Sequence, residues 1–205
     1  LDMPIIMHDY ITGGFTAKKG NGYDPEQAKV LLDSYLKEKG LQTLPPFELS
    51  YNTSEGHKKV AEALQAMWKK SLGVDIQLTN MEWKVFLSSI TKGDYALARA
   101  GWIGDYVDPN SFLDMMVTDR GNNMTGWSNS QYDEYLMKAA FSESEKDRIT
   151  YFTEAEKILM DELPIIPIYT YTRVYMLKEE VKGWFPNMLD TVSYTHLTLP
   201  TSDLV

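Results

Sequence analysis

The chain has 205 residues, 43% of them apolar and 24% charged, proportions of a globular domain that exclude disordered and fibrous classes. Twenty basic against twenty-nine acidic residues leave a net charge of −9, which opposes nonspecific binding to nucleic acid or anionic membrane, since phosphate contacts rely on lysine and arginine. There is no cysteine, hence no disulfide, thiolate metal site or cysteine nucleophile, and no run approaches the roughly eighteen to twenty apolar residues of a membrane span.

Residues 1–22 hold Pro4 and scattered glycines without a sustained period, and read as a loop or hinge entering the first element. Asp24-Pro25-Glu26 is a helix start, with a capping acid, a proline in the first turn and a further acid. Ala28, Leu31, Leu32, Tyr35 and Leu36 continue it at helical spacing to a stop at Gly40. After Pro45-Pro46, the alternation of Phe47, Leu49 and Tyr51 predicts a strand. A second helix follows Asn52-Thr53-Ser54, with Val60, Leu64, Met67, Trp68 and Leu72 on one stripe and Gly73 at its end. Val74, Ile76 and Leu78 alternate as the next strand. A third helix carries Trp83, Phe86, Leu87 and Ile90 to Gly93, and Tyr95 to Arg99 form another short strand.

This order argues an α/β layer with helices packed on a sheet. An aromatic loop runs from Gly101 to about Trp127 and includes a helix over Pro109–Met116 capped by Asp108. Two more helices are predicted over roughly Gln131–Phe141 and Glu145–Leu163, the second with Ile149, Phe152, Ala155, Ile158, Leu159 and Leu163 on its stripe. Ile165–Tyr171 reads as a strand, and Pro164 and Pro167 suggest a sheet edge or a crossing between lobes. The expected organisation is a hinge over 1–22, an α/β ligand-binding lobe over 23–163, a strand and crossover over 164–190, and a Thr- and Ser-rich tail over 191–205. Both ends read as those of a fragment.

The most unusual segment runs from Arg99 through Trp102, Asp105, Tyr106 and Asp108 to Leu113. It follows a strand, where ligand sites of α/β sheets sit, and its glycines let a backbone approach closely. It offers a guanidinium, an indole, a phenol and two carboxylates, and an acid between aromatic faces can hold a cation. Each residue also has a plainer reading. Asp108 before Pro109 is a helix cap, Trp102 and Tyr106 are loop-anchoring aromatics, and Arg99 is a surface residue with its stem packed down. Asp105 divides evenly between turn residue and ligand group. The pair Asp105 and Asp108 also admits a glycosidase-like or other carboxylate-dependent hydrolase. His8, His57 and His196 show no metal-ligand spacing, and no phosphate-binding or nucleophile motif is present, so neither metal nor cofactor is expected.

The run GW-x-x-DY-x-DP from Gly101 to Pro109, preceded by Arg99 and by the N-x-EW of Asn80 to Trp83, carries a family resemblance. With YDPEQAKVLLDSYLKEKG, the stretch around SYNTSEGHKKVAEALQ, EAEKILMDELPIIPIYTYTRVYM and VKGWFPN, it resembles the C-terminal part of an extracytoplasmic solute-binding protein of the peptide/nickel ABC-transporter family, oligopeptide-binding branch. The resemblance covers most of residues 23–187.

It implies the second lobe of a two-lobed, type II periplasmic-binding-protein-like fold, a mixed sheet flanked by helices. It implies a peptide ligand, ABC permease subunits as partners, no catalysis, a monomer when full length, and a periplasmic or cell-surface location with any membrane anchor N-terminal to this segment. By the same resemblance Asp105 receives the peptide's ammonium, Arg99 meets a carboxylate or backbone, and Trp83 and Trp102 line side-chain pockets with Tyr106 beside them. His57 faces the ligand's later residues. A dipeptide, a nickel chelate or haem are the other ligands the family suggests. An arginine of some oligopeptide binders is replaced here by Ile90, and the tail 191–205 does not resemble the family, which suggests a frame or assembly artefact.

Overall fold

The computed structural model describes residues 23–169, 171 and 176–178; the hinge, the VKGWFPN stretch and the tail lie outside the described residues. Asp24 starts the first helix, α1 (Pro25–Lys39), its carboxylate accepting the Gln27 N–H at 2.8 Å. Two further helices, α2 (Glu55–Leu72) and α3 (Trp83–Lys92), end as α1 does, on a glycine in the left-handed region, as the positions of Gly40, Gly73 and Gly93 predicted.

Between these helices lie β1 (Glu48–Asn52), β2 (Gln77–Met81) and β3 (Leu97–Ala98). They form one sheet in the order β2-β1-β3, with Leu49 opposite both Leu78 and Leu97. Both pairings are parallel, so the mixed character expected of the sheet is not present among the described residues. Each connection is a helix, as parallel neighbours require. Alternation along β1 sends Leu49 and Tyr51 to one core, with Ala61 and Ile76 and with Leu64 and Trp68 of α2 packed against it. Met67, placed on the same stripe by its spacing, is 51% exposed.

Two strands are displaced from their predicted spans. The turn out of α2 consumes Val74, whose N–H returns to Trp68 O, and the ladder opens only where Gln77 N–H meets Phe47 O. Ile76 therefore packs in the core from outside β2. Of Tyr95–Arg99, only Leu97 and Ala98 pair as strand, with Arg99 N–H adding one bond to Ser50 O at 2.8 Å.

The second core is helical. The predicted helix over Pro109–Met116 divides into α4 (Asn110–Leu113) and a 3₁₀ turn at Asp114–Met116. Then α5 (Ser130–Ala140) and α6 (Glu145–Glu162) pack as a hairpin, within a residue of their predicted ends. Leu113, Met116, Tyr132, Leu136, Phe152 and Leu159 are buried together here. Leu163, expected inside α6, instead turns left-handed at φ 49 before Pro164. Ile165–Tyr169 form no strand, which accords with the donors missing at Pro164 and Pro167.

Candidate ligand-binding site

Because the three strands run in parallel, their C-terminal ends share one edge, and the candidate residues follow those ends. Asn52 ends β1 and His57 follows it, Trp83 follows β2, and Arg99 to Tyr106 follow β3. In the order β2-β1-β3 the chain leaves β1 in one direction and returns on its other side, so β1 and β3 flank a switch point, the place where ligands bind in open α/β sheets.

Arg99 stands at that point. Its backbone is fixed by the bond to Ser50 O, and its guanidinium carbon lies 5.9 Å from the centre of the Tyr171 ring. Partial burial lowers its pKa from the ordinary value, and the charge of Tyr169 acts in the opposite direction. Among the described residues it has no acidic partner. Arg148, by contrast, donates to Asp108 Oδ1 at 2.7 Å and packs over Phe152.

The loop beyond Arg99 is organised by Ser111, a residue the sequence reading passed over and which is 3% exposed. Its Oγ accepts the Asp105 N–H and its carbonyl the Trp102 indole N–H, both at 2.7 Å. The Asp105 side chain is left exposed, with no hydrogen bond or ion pair among the described residues. Gly104 permits this fold, since a Cβ there would lie 2.9 Å from Phe112 Cε2. Tyr106 stays exposed and accepts from Asn110 Nδ2 through its hydroxyl.

Asp108 comes near its plainer reading but stands one position further out, because α4 begins at Asn110 and its cap position falls on Pro109. Its Oδ1 accepts the Asn110 N–H at 2.9 Å and the Arg148 guanidinium, so this carboxylate is committed to structure and the Asp105/Asp108 hydrolase pairing loses one member.

Half-buried His57 places Nδ1 3.3 Å from Asn52 O; with the proton on Nδ1 the ring donates there and leaves Nε2 free to accept. Trp83 is 52% exposed and stacks on Phe86 at 6.2 Å. Direct contacts thus join Arg99 with Tyr171, Trp102 and Asp105 with Ser111, and Tyr106 with Asn110; His57 and Trp83 stand apart, in the first turns of α2 and α3. Two buried polar atoms on β1, Ser50 Oγ and Asn52 Oδ1, have no partner among the described residues. Tyr171 and Asn52 lie within stretches that carry the family resemblance, but no signal in the sequence assigned either a role at the site.

Residues 5–124 match the family described as bacterial extracellular solute-binding proteins, family 5, middle region. The chain belongs to this family. It is 38% identical over 186 residues to the dipeptide-binding protein DppE of Bacillus subtilis, covering 86% of this chain and 34% of the relative. It is 42% identical over 164 residues to the oligopeptide-binding protein OppA of the same organism, covering 78% and 30%. The solved structure of the murein tripeptide-binding protein MppA of Escherichia coli superposes with a TM-score of 0.74 at 36% identity, over 87% of this chain and 36% of that one. The chain therefore spans about a third of the length of these relatives. The fold is the α/β arrangement of type II periplasmic binding proteins.

Proposed function

We propose that this chain forms one wall of the peptide-binding cleft in the solute-binding component of an ABC importer, working outside the cytoplasmic membrane. The observation that carries the reading is Arg99, half-buried at the switch point with no acidic partner among the described residues, and followed on the same loop by the uncommitted carboxylate of Asp105. Opposite charges on one loop, neither of them paired among the described residues, suit a zwitterion. Asp105 receives the ammonium of a peptide and Arg99 its carboxylate, a task fitted to the fork of guanidinium donors.

Trp83, Trp102 and Tyr106 supply broad faces for side chains, and water completes contacts that differ from ligand to ligand. His57 Nε2 meets the ligand's later residues. Recognition of main chain and termini gives affinity with little sequence preference. Closure against a second wall removes water and strengthens each charge pair, and the permease reads only that closed shape.

Calorimetry with a free peptide, its N-acetylated form and its C-terminal amide tests this on the protein expressed from its complete coding sequence. Each charge-assisted contact contributes about 1.5–3 kcal/mol, so each blocking group weakens binding about ten- to a hundred-fold. Asp105→Asn abolishes the penalty of acetylation and Arg99→Gln that of amidation. Mass spectrometry recovers the peptides intact. Turnover of the peptides that Asp105→Asn abolished would overturn the reading in favour of a hydrolase.

A further inference from the structure

The guanidinium of Arg99 is flanked by two residues from distant parts of the chain, Gly101 and Tyr171. The Arg99 carbon sits 5.9 Å from the Tyr171 ring centre, within reach of a cation–π attraction. A Cβ at position 101 would lie 3.0 Å from Arg99 Nη2, 3.3 Å from Tyr171 Oη and 3.4 Å from Tyr171 Cε2. Gly101 is thus a glycine that two side chains lean over. With the Arg99 backbone tied to Ser50 and no acid holding its charge among the described residues, the Tyr171 ring and the open space over Gly101 are the close surroundings of the guanidinium on this side.

We propose that Gly101 and Tyr171 form a seat that positions the Arg99 guanidinium, Tyr171 by its ring face and Gly101 by the absence of a side chain, and so set the preference for a ligand carboxylate. Tyr171 and Gly101 act through Arg99 and are positioning residues. The inference rests on the peptide-binding reading for its effect on ligands, but the seat itself can be tested without one. The atoms nearest the added Cβ include the far end of a flexible arginine, so Gly101→Ala moves the guanidinium rather than unfolding the loop.

The test uses the protein expressed from its complete coding sequence, with the Arg99 Nε–Hε resonance assigned by its loss in Arg99→Lys. The expected result is a ring-current-shifted resonance that persists in Tyr171→Phe and moves in Tyr171→Leu and Gly101→Ala, while thermal midpoints of the three variants match the parent. In the same two variants the preference for a free-carboxylate peptide over its amide falls about five- to ten-fold, in proportion to a lost cation–π contact and a displaced fork. An unmoved resonance in Tyr171→Leu or Gly101→Ala overturns the seat. Unchanged discrimination despite a moved resonance overturns its role in specificity. A parent protein that does not discriminate peptide from amide sinks the peptide reading instead, and the resonance still decides the seat.

Discussion

At the scale of single residues, the chemistry of the site turns on which charges the fold has already spent. Arg148 and Asp108 neutralise each other with side chains 30% and 22% exposed, whereas Arg99 and Asp105 carry no such pairing among the described residues. Composition cannot distinguish the two arginines, because the Arg148–Asp108 pair joins a helix to a loop forty residues away in the chain. What was legible was the collection of residue types after β3, since a guanidinium, an indole and a carboxylate in one turn limit what the turn can do. The Ser111 staple was not, because a serine's value lies in where its hydroxyl points. Gly104 tests how tightly that turn is packed. Gly104→Ala places a methyl 2.9 Å from a ring carbon of Phe112, and overpacking of this kind costs about 1–3 kcal/mol. A lowered urea midpoint with an unchanged slope is the expected outcome, and an unchanged midpoint means the ring simply moves aside.

At the scale of elements, caps and apolar periods identified the helices because both signals are local. Asn129 shows how far a local signal reaches. Its Oδ1 accepts the N–H groups of Gln131 and Tyr132 at 3.0 Å, closing the start of α5, while its Nδ2 donates to Glu162 Oε1 at the end of α6. The Trp127 indole N–H donates to the other oxygen of Glu162. One carboxylate thus ties the entry of one helix to the exit of the next. Asn129→Ala removes the cap and this tie, and the expected cost is about 1–2 kcal/mol in chemical denaturation. Asn129→Asp keeps the cap but sets a like charge against Glu162, so it recovers only part of the loss; full recovery would show that the link to Glu162 contributes nothing. The strands were less legible, because a ladder is defined by its partner. Ile76 has the residue type of a strand yet packs before the ladder opens, and the Ile165–Tyr169 run satisfies composition while Pro167 within it and Pro164 before it withhold donors.

At the scale of the whole molecule, the loop that carries the site is held at both ends by different cores. Arg99 N–H fastens one end to the sheet, and Leu113, 1% exposed, fastens the other to the helical core, where its carbonyl accepts the Tyr132 hydroxyl. Tyr132 is therefore an anchor for the binding loop as well as a core residue. Burial, and then the negative charges of Asp114, Asp133 and Glu156, raise its pKa far above the ordinary 10.0. The unfolded chain releases this proton near the ordinary value and the folded protein does not, so above it the unfolded state binds fewer protons and stability falls as pH rises. Below that value the contribution is present in full. Tyr132→Phe loses the hydrogen bond and leaves the Leu113 carbonyl buried, which costs about 1 kcal/mol at neutral pH. It also removes one titrating group, so its stability declines less steeply on the alkaline side, and the two proteins converge as pH rises beyond 10.0. Tyr95, also raised by burial, contributes equally to both proteins and cancels in the difference. Urea midpoints for the pair across the alkaline range check this directly: a constant gap between them would mean that the Tyr132 hydroxyl titrates alike in both states and is not the buried anchor of the loop.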